Sequence, residues 1–462
     1  VDANLLLTEN RKSKFRNQKS EIRNSSLRAL LNRAKIVNLD SMSHLSCLRR
    51  RVCLFVVLCL CGIGVAQQSS APTSTQPGAL PPQAAQEQNQ IPRPPDFPAG
   101  AVQSSNPSAS SDVIDFIAVG DVMLGTTFPD ATGASLPPND GADILAEVTP
   151  ILKQGDITFG NLEGPLVDGG VSAKCRGKRE GTCYAFRVPT RYGKYLKDAG
   201  FTVMGLANNH AMDFGQEGRT SSRTVLDSLG IAHTGELGDI AHLTVKGEKV
   251  DIIAFATYPG AYNLLDLDEA LQAIRSARAE SDIVIVSFHG GAEGATHQHV
   301  PMGDEIFLTE DRGDLRRFAH AAIDAGAQVV VGSGPHVVRG MEVYQGKLIA
   351  YSLGNFATYG PFNLNGENGI AMILEARLGA DGTFLGGHAY PTKQDKPGGP
   401  KLDPEMRILP IVRELSKIDF GQNAVVVSDQ GDLMPPEGQL PQCDLLQLLN
   451  LVSGPMPCAV TK

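Results

Sequence analysis

Tryptophan is absent from the 462 residues, and aromatic residues make up only 6% of them. Stacking platforms for single-stranded nucleic acid or for sugar rings are therefore scarce. Positive charge is also missing from most of the chain. Residues 1–66 hold 12 Lys and Arg against 4 Asp and Glu, a surplus of +8 that leaves −17 for the remainder. A body this acidic repels phosphate backbones, so nucleic acid is excluded as a main partner. The apolar run over residues 52–66 is 15 residues long, short of the roughly 20 that a membrane-spanning helix needs. The glycines of Gly120 to Gly125 lack dinucleotide-fingerprint spacing, and no nucleophile elbow is present. What remains is ordinary globular composition, with 42% hydrophobic and 20% charged residues.

The front of the chain reads as export machinery. Arg49, Arg50 and Arg51 precede the apolar run, which ends in Gly64-Val65-Ala66. Basic residues, a short apolar stretch and small residues at the cut predict a signal peptide over 42–66. The alternative is an uncleaved segment that anchors the chain to the membrane. Because 41 residues precede Met42 and the chain opens with Val1, translation is expected to start at Met42, with 1–41 a disordered upstream extension. Residues 67–111 are rich in Gln, Ser and Ala, and nine of the 45 are Pro. Such a segment buries too little surface to offset its chain entropy and predicts a semi-rigid linker. The expected location is periplasmic or extracellular. In that compartment the four remaining cysteines predict two local disulfides, Cys175–Cys183 and Cys443–Cys458, with free buried thiols as the alternative.

Short apolar runs alternate with helical spacing from residue 114 onward. Strands are predicted at 114–119, 157–159, 201–207, 251–257, 283–288, 327–332 and 348–353, and helices at 191–199, 219–229, 266–279 and 315–325. Gly200, Gly230 and Gly326 stand where a left-handed residue would close a helix. Alternation over this length indicates a layered α/β domain.

Polar residues gather at the ends of those strands, where open α/β sheets place their function. Asp121 ends the first run, Asn161 and Glu163 the second, Asn208, Asn209, His210 and Asp213 the third, His289 and Glu293 the fifth, Ser333 and His336 the sixth, and Asn355 the seventh. One Asp or Asn after a strand is usually a turn former or a helix cap. Jointly they exceed what packing requires. Imidazole, carboxylate and amide oxygen without thiolate suit zinc, manganese or iron in a hydrolytic centre, as one ion or two.

Five ordered blocks carry a resemblance. They are Gly120-Asp121-Val122-Met123-Leu124-Gly125, Gly160-Asn161-Leu162-Glu163-Gly164, Ala207-Asn208-Asn209-His210, Ser287-Phe288-His289-Gly290-Gly291-Ala292-Glu293, and Gly332 to His336 with Tyr351-Ser352-Leu353-Gly354-Asn355-Phe356. This pattern resembles the CapA, or poly-γ-glutamate capsule biosynthesis, family, whose domain is a variant of the calcineurin-like metallophosphoesterase fold. The resemblance spans roughly 112–395, leaving 396–462 as a C-terminal extension. It implies an αββα sandwich of mixed sheets with a metal site at the strand ends. By position it implies Asp121, Glu163, Asn209, His289 and His336 as metal ligands, and His210 with Asn161 as catalytic groups, His210 being the acid. Glu293 and Asn355 are implied as substrate contacts. Two departures stand out, because Met123 and Ser333 occupy positions where phosphoesterases of this fold carry histidine. Two functions follow as expectations. One is a metal-dependent hydrolase of phosphoester or amide bonds in a cell-envelope or capsule polymer, working beside membrane-bound capsule synthesis proteins. The other is a non-catalytic accessory that binds and exports such an anionic polymer through the same cleft.

Overall fold

The computed structural model describes residues 113–129, 135–177 and 183–439. The upstream extension, signal segment, linker and Cys443–Cys458 pair all lie outside the described residues. Cys175 and Cys183 are joined as a disulfide.

Strands such as Ile114–Met123 and Ile283–His289 are apolar almost throughout because both faces of their sheets are covered. Successive side chains point to opposite faces, so each strand feeds two cores. Ile114, Phe116 and Ala118 join Ile252, Ile285, Val329 and Val331 in a core between two sheets. Ile117 and Val119 face the other way, onto Leu196 and Leu226 of the helices Gly193–Ala199 and Gly215–Leu229. Ile253, Phe255, Val284 and Val286 likewise meet Ile274, Phe318 and Ala319 of the helices Leu267–Glu280 and Leu315–Asp324. Three cores between four layers make this an αββα sandwich.

Both sheets are mixed. In the first, Ile114–Met123, Ile157–Leu162, Val203–Gly205 and Ala232–Thr234 run parallel in that order. On the other side of Ile114–Met123 lie the antiparallel strands Ile370–Leu378 and Phe384–Lys393. In the second, Glu248–Ala256, Ile283–His289, Val329–Ser333 and Lys347–Ala350 run parallel between antiparallel edges. The parallel strands of both sheets therefore bring their carboxyl ends to one rim.

Local chemistry sets the helix limits. Asp266 and Asp314 cap two helices by accepting from the backbone N–H of Glu269 and Arg317. Gly200, Gly230 and Gly326 follow helices with φ of 102°, 64° and 115°. The first sheet continues past residue 395. The helix Ile408–Phe420 puts Ile408, Leu409 and Val412 into the inter-sheet core, and the strand Asp432–Met434 pairs with Phe384–Lys393. Among the described residues no helix is long and apolar enough to cross a membrane.

Candidate metal centre

Asp121 is aimed by an irregularity at the end of its strand. The register shifts on either side of it against Ile157–Leu162 and against Asn355–Thr358, and a bulge of this kind re-aims a side chain. Its N–H donates to Gly354 O at 3.0 Å. The neighbouring strands approach so closely there that a Cβ on Gly120 would collide with that carbonyl. Asn161 Nδ2 donates to Asp121 Oδ1 at 2.8 Å, and Asn161 Oδ1 accepts from Asn208 Nδ2 at 3.1 Å. Both ends of the Asn161 amide are thus spent on holding neighbours.

Glu163, one residue past its strand, is fully buried, and neither of its carboxylate oxygens has a hydrogen-bond partner among the described residues. Three imidazoles face it. His336 Nε2 lies 3.7 Å, His289 Nε2 3.9 Å and His210 Nε2 4.0 Å from Glu163 Oε1. His336 is held in the left-handed region at φ 60°, a conformation that bulky residues rarely adopt and that marks functional positions. Its Nδ1 is 3.0 Å from Asp121 Oδ2 and 3.1 Å from Asn355 Oδ1, both acceptors. Asn355 is buried behind His336.

Ser333 fixes the ring of His289. Its hydroxyl donates to Phe288 O at 3.3 Å and lies 3.1 Å from His289 Nδ1. Asn161 Nδ2 lies 3.3 Å from the same nitrogen, and together these contacts hold the ring with Nε2 directed toward Glu163, where that nitrogen has no partner. Met123 is buried, and its sulfur accepts from Gly125 N. Its side chain therefore belongs to the core.

Asp121, Glu163 and His336 each offer a ligand atom, and these atoms lie within 4.8 Å of one another. With them are the orphaned His289 Nε2 and Asn209 Oδ1. A cluster of two carboxylates and an imidazole, flanked by the unpartnered lone pairs of Glu163, His289 and Asn209, fits a divalent cation. Electrostatics agrees. Burial raises the Glu163 carboxyl well above its usual range and, with the Arg312 charge, holds His289 well below the usual imidazole value. Burial also acts to lower His336, but the Glu163 charge and the hydrogen bond and charge of Asp121 outweigh it and push His336 up to about 10.

His210 borders this group with its Nδ1 2.7 Å from Asp213 Oδ2. Its ring packs 4.3 Å from that of Phe186. Burial lowers it below the ordinary imidazole value, with Asp213 acting in the opposite direction. Two residues here had no warning in the sequence. Lys174, next to the disulfide, reaches His210 Nδ1 and Asn209 O at 3.3 Å and Asp213 Oδ1 at 3.4 Å. Arg312 donates to Glu293 Oε1 at 2.8 Å. Both line a cavity of about 610 Å³ that Asn209, Glu293 and Tyr258 share.

The wall carrying Arg312 is pinned by a buried pair. Arg339 donates from Nη1 and Nη2 to Glu305 at 2.7 Å each, and Glu305 O accepts from Arg312 N. Removing one member strands a buried charge, so Arg339→Met is expected to destabilise the protein by about 3–5 kcal/mol. Calorimetric melting checks this.

Fold and site together define an αββα sandwich with a carboxylate–imidazole cluster at its rim. The sequence pattern of the bacterial capsule synthesis protein PGA_cap family matches residues 115–359, over half the chain, and the chain belongs to that family. It is 31% identical over 266 residues to the PGA biosynthesis protein CapA of Bacillus subtilis, covering 54% of this chain and 64% of that one. To the capsule biosynthesis protein CapA of Bacillus anthracis it is 28% identical over 260 residues, covering 52% and 58%. The match thus spans less than two thirds of either relative. Among solved structures, a putative 5′-nucleotidase from Staphylococcus aureus is similar at 12% identity and a TM-score of 0.34, over 63% of this chain and 53% of that one. That likeness is too distant to bear on activity.

Proposed function

We propose that this chain is an exported CapA-type protein of capsule or poly-γ-glutamate metabolism that acts as a metal-dependent hydrolase on phosphoester or amide bonds of an envelope polymer. The observation that carries the reading is the unpartnered Glu163 carboxylate facing three imidazoles. Asp121, Glu163, Asn209, His289 and His336 would hold one divalent ion, zinc, manganese or iron. Such an ion supplies Lewis acidity at a phosphoryl or carbonyl oxygen. Asn161 and Asn355 orient Asp121 and His336. His210, neutral at rest because burial lowers its pKa, would take at Nε2 the proton that the attacking water loses and return it to the leaving group, while Asp213 holds its Nδ1–H. Glu293 stands at the cavity edge, where substrate would enter.

Elemental analysis of the purified protein tests this, with Asp121→Ala and His289→Ala as controls. Near-stoichiometric metal that disappears in both variants is expected. Affinity is also expected to rise with pH, by about tenfold per unit for each proton released. The protons that must leave include the one on His336, which stays bound up to about pH 10, and any that the raised Glu163 carboxyl retains. A titration showing affinity flat between pH 6 and 8 would contradict this assignment.

Ser333 favours a second reading, a non-catalytic accessory that binds an anionic polymer in the same cleft. Its hydroxyl stands where a further imidazole would complete a two-metal centre. A wild type that stays metal-free after incubation with zinc, manganese and iron selects that reading.

A further inference from the structure

Arg312 is, with Arg339, one of the two largest fully buried side chains in the described fold, and it lies in the wall of the cavity beside the metal cluster. Only Nη1 is engaged, with Glu293. Nε and Nη2 have no hydrogen-bond partner among the described residues. Three N–H groups of a permanent cation are left without an acceptor, which a folded protein tolerates only where something else supplies one. The guanidinium is not adrift. Its backbone N–H donates to Glu305 O, its carbonyl accepts from Gly291 N at 2.8 Å, and the Tyr258 ring lies 5.7 Å from its carbon. Its backbone is therefore tied to Gly291, which stands two residues after His289, and the guanidinium charge is felt at that imidazole.

Lys174 lines the same cavity. Its contacts to Asn209 O, His210 Nδ1 and Asp213 Oδ1 are all 3.3–3.4 Å, long for an ammonium, and its side chain is 30% exposed. It has donors free to turn toward a ligand. The acidic groups of the cavity are already committed, Glu293 to Arg312 and Glu310 to the Tyr258 hydroxyl at 3.0 Å. A volume of about 610 Å³ admits a small-molecule-sized group.

We propose that Arg312 and Lys174 form an oxyanion subsite, and that the ligand acted on at the neighbouring cluster carries an additional carboxylate or phosphoryl group beyond its reacting bond. This rests on the hydrolase reading and narrows its substrate class. The planar guanidinium would supply two parallel donors to the oxyanion and the ammonium a point charge on its far side.

Titration calorimetry of the full chain with inorganic phosphate and with succinate tests it, in chelator and separately with saturating manganese. Saturable binding of one probe to the chelated protein is expected. Lys174→Met and Arg312→Gln should each weaken it at least tenfold, while manganese affinity in Lys174→Met stays within twofold of wild type. Because Lys174 is partly exposed, its variant carries the test even if Arg312→Gln does not fold. The tighter probe identifies the group, phosphate indicating a phosphoryl and succinate a carboxylate. No saturable binding in chelator, or unchanged binding in Lys174→Met, overturns the subsite. The two readings separate cleanly: manganese without anion binding removes the subsite alone, and anion binding through Lys174 without manganese removes the hydrolase alone.

Discussion

Glu163→Gln is expected to raise the melting temperature of the metal-free protein at neutral pH and to abolish its stabilisation by metal. Burial lifts the Glu163 carboxyl well above its usual range. A folded-state value above the unfolded one means that the fold binds the extra proton, so stability is present at low pH. It is lost as pH rises from the ordinary carboxyl value of about 4.5 through the raised one. Above the ordinary carboxyl value, keeping this carboxyl in the fold costs stability. Glutamine keeps the shape and removes the charge, and Asp121 at 3.0 Å remains to partner the His336 proton. A gain of ~0.5–2 kcal/mol is reasonable for relieving such a group, or roughly 2–4 °C per kcal/mol in a domain of this size. Metal inverts the order. A thousandfold excess over Kd stabilises wild type by about 4 kcal/mol, whereas the variant, deprived of its central ligand, gains nothing. Scanning calorimetry of both proteins, in chelator and in manganese, should show the two curves crossing. If Glu163→Gln melts lower in chelator, the carboxylate is an ordinary partner of the surrounding imidazoles and not a group awaiting a cation.

The sequence made the strand-end residues legible because each follows an apolar run whose burial is dictated locally. Asp121, Glu163, Asn209, His289 and His336 could be singled out one by one. Their convergence could not, since it depends on two sheets that present their carboxyl ends to the same rim. Ser333 shows the limit well. As a letter it reads as a missing imidazole, while in the fold its hydroxyl, with Asn161, holds the His289 ring at Nδ1 so that Nε2 faces Glu163. Lys174 and Arg312 gave no signal, because loops place them. The disulfide at Cys175 and the Glu305–Arg339 pair fix those loops through contacts distant in sequence. The antiparallel strands Ile370–Leu378 and Phe384–Lys393 lie beyond the strands that the apolar runs predict. The second is interrupted by Gly386 and Gly387, and the latter packs so closely on Glu375 that a Cβ would collide with its carbonyl. A gap in the apolar pattern is there the mark of strand contact.

Asp121→Ala and His210→Ala are expected to impair hydrolysis in different ways. Asp121 binds the cluster together through Asn161 and His336, so its loss should remove metal and turnover together. His210 stands 4.0 Å from Glu163 through Nε2 and is anchored by Asp213 through Nδ1. Its loss should leave metal content intact and reduce kcat/KM by about 10²–10⁴, the usual worth of a positioned proton-transfer group. The pH profile adds a check that a structural role would not reproduce. On the proposed proton path His210 starts neutral, so activity is expected to fall as pH drops through its pKa, which burial places below the ordinary imidazole value. Asp213 raises that pKa, so Asp213→Asn should move the acid limb to still lower pH while lowering the rate. Turnover of a phosphoester and of a γ-glutamyl anilide by the metal-loaded proteins would decide the matter. A His210→Ala protein as active as wild type would remove His210 from the proton path, and an acid limb moving upward in Asp213→Asn would assign it to another group. Polymer retention that survives both alanine variants, with no hydrolysis in wild type, would leave the cleft a binding site.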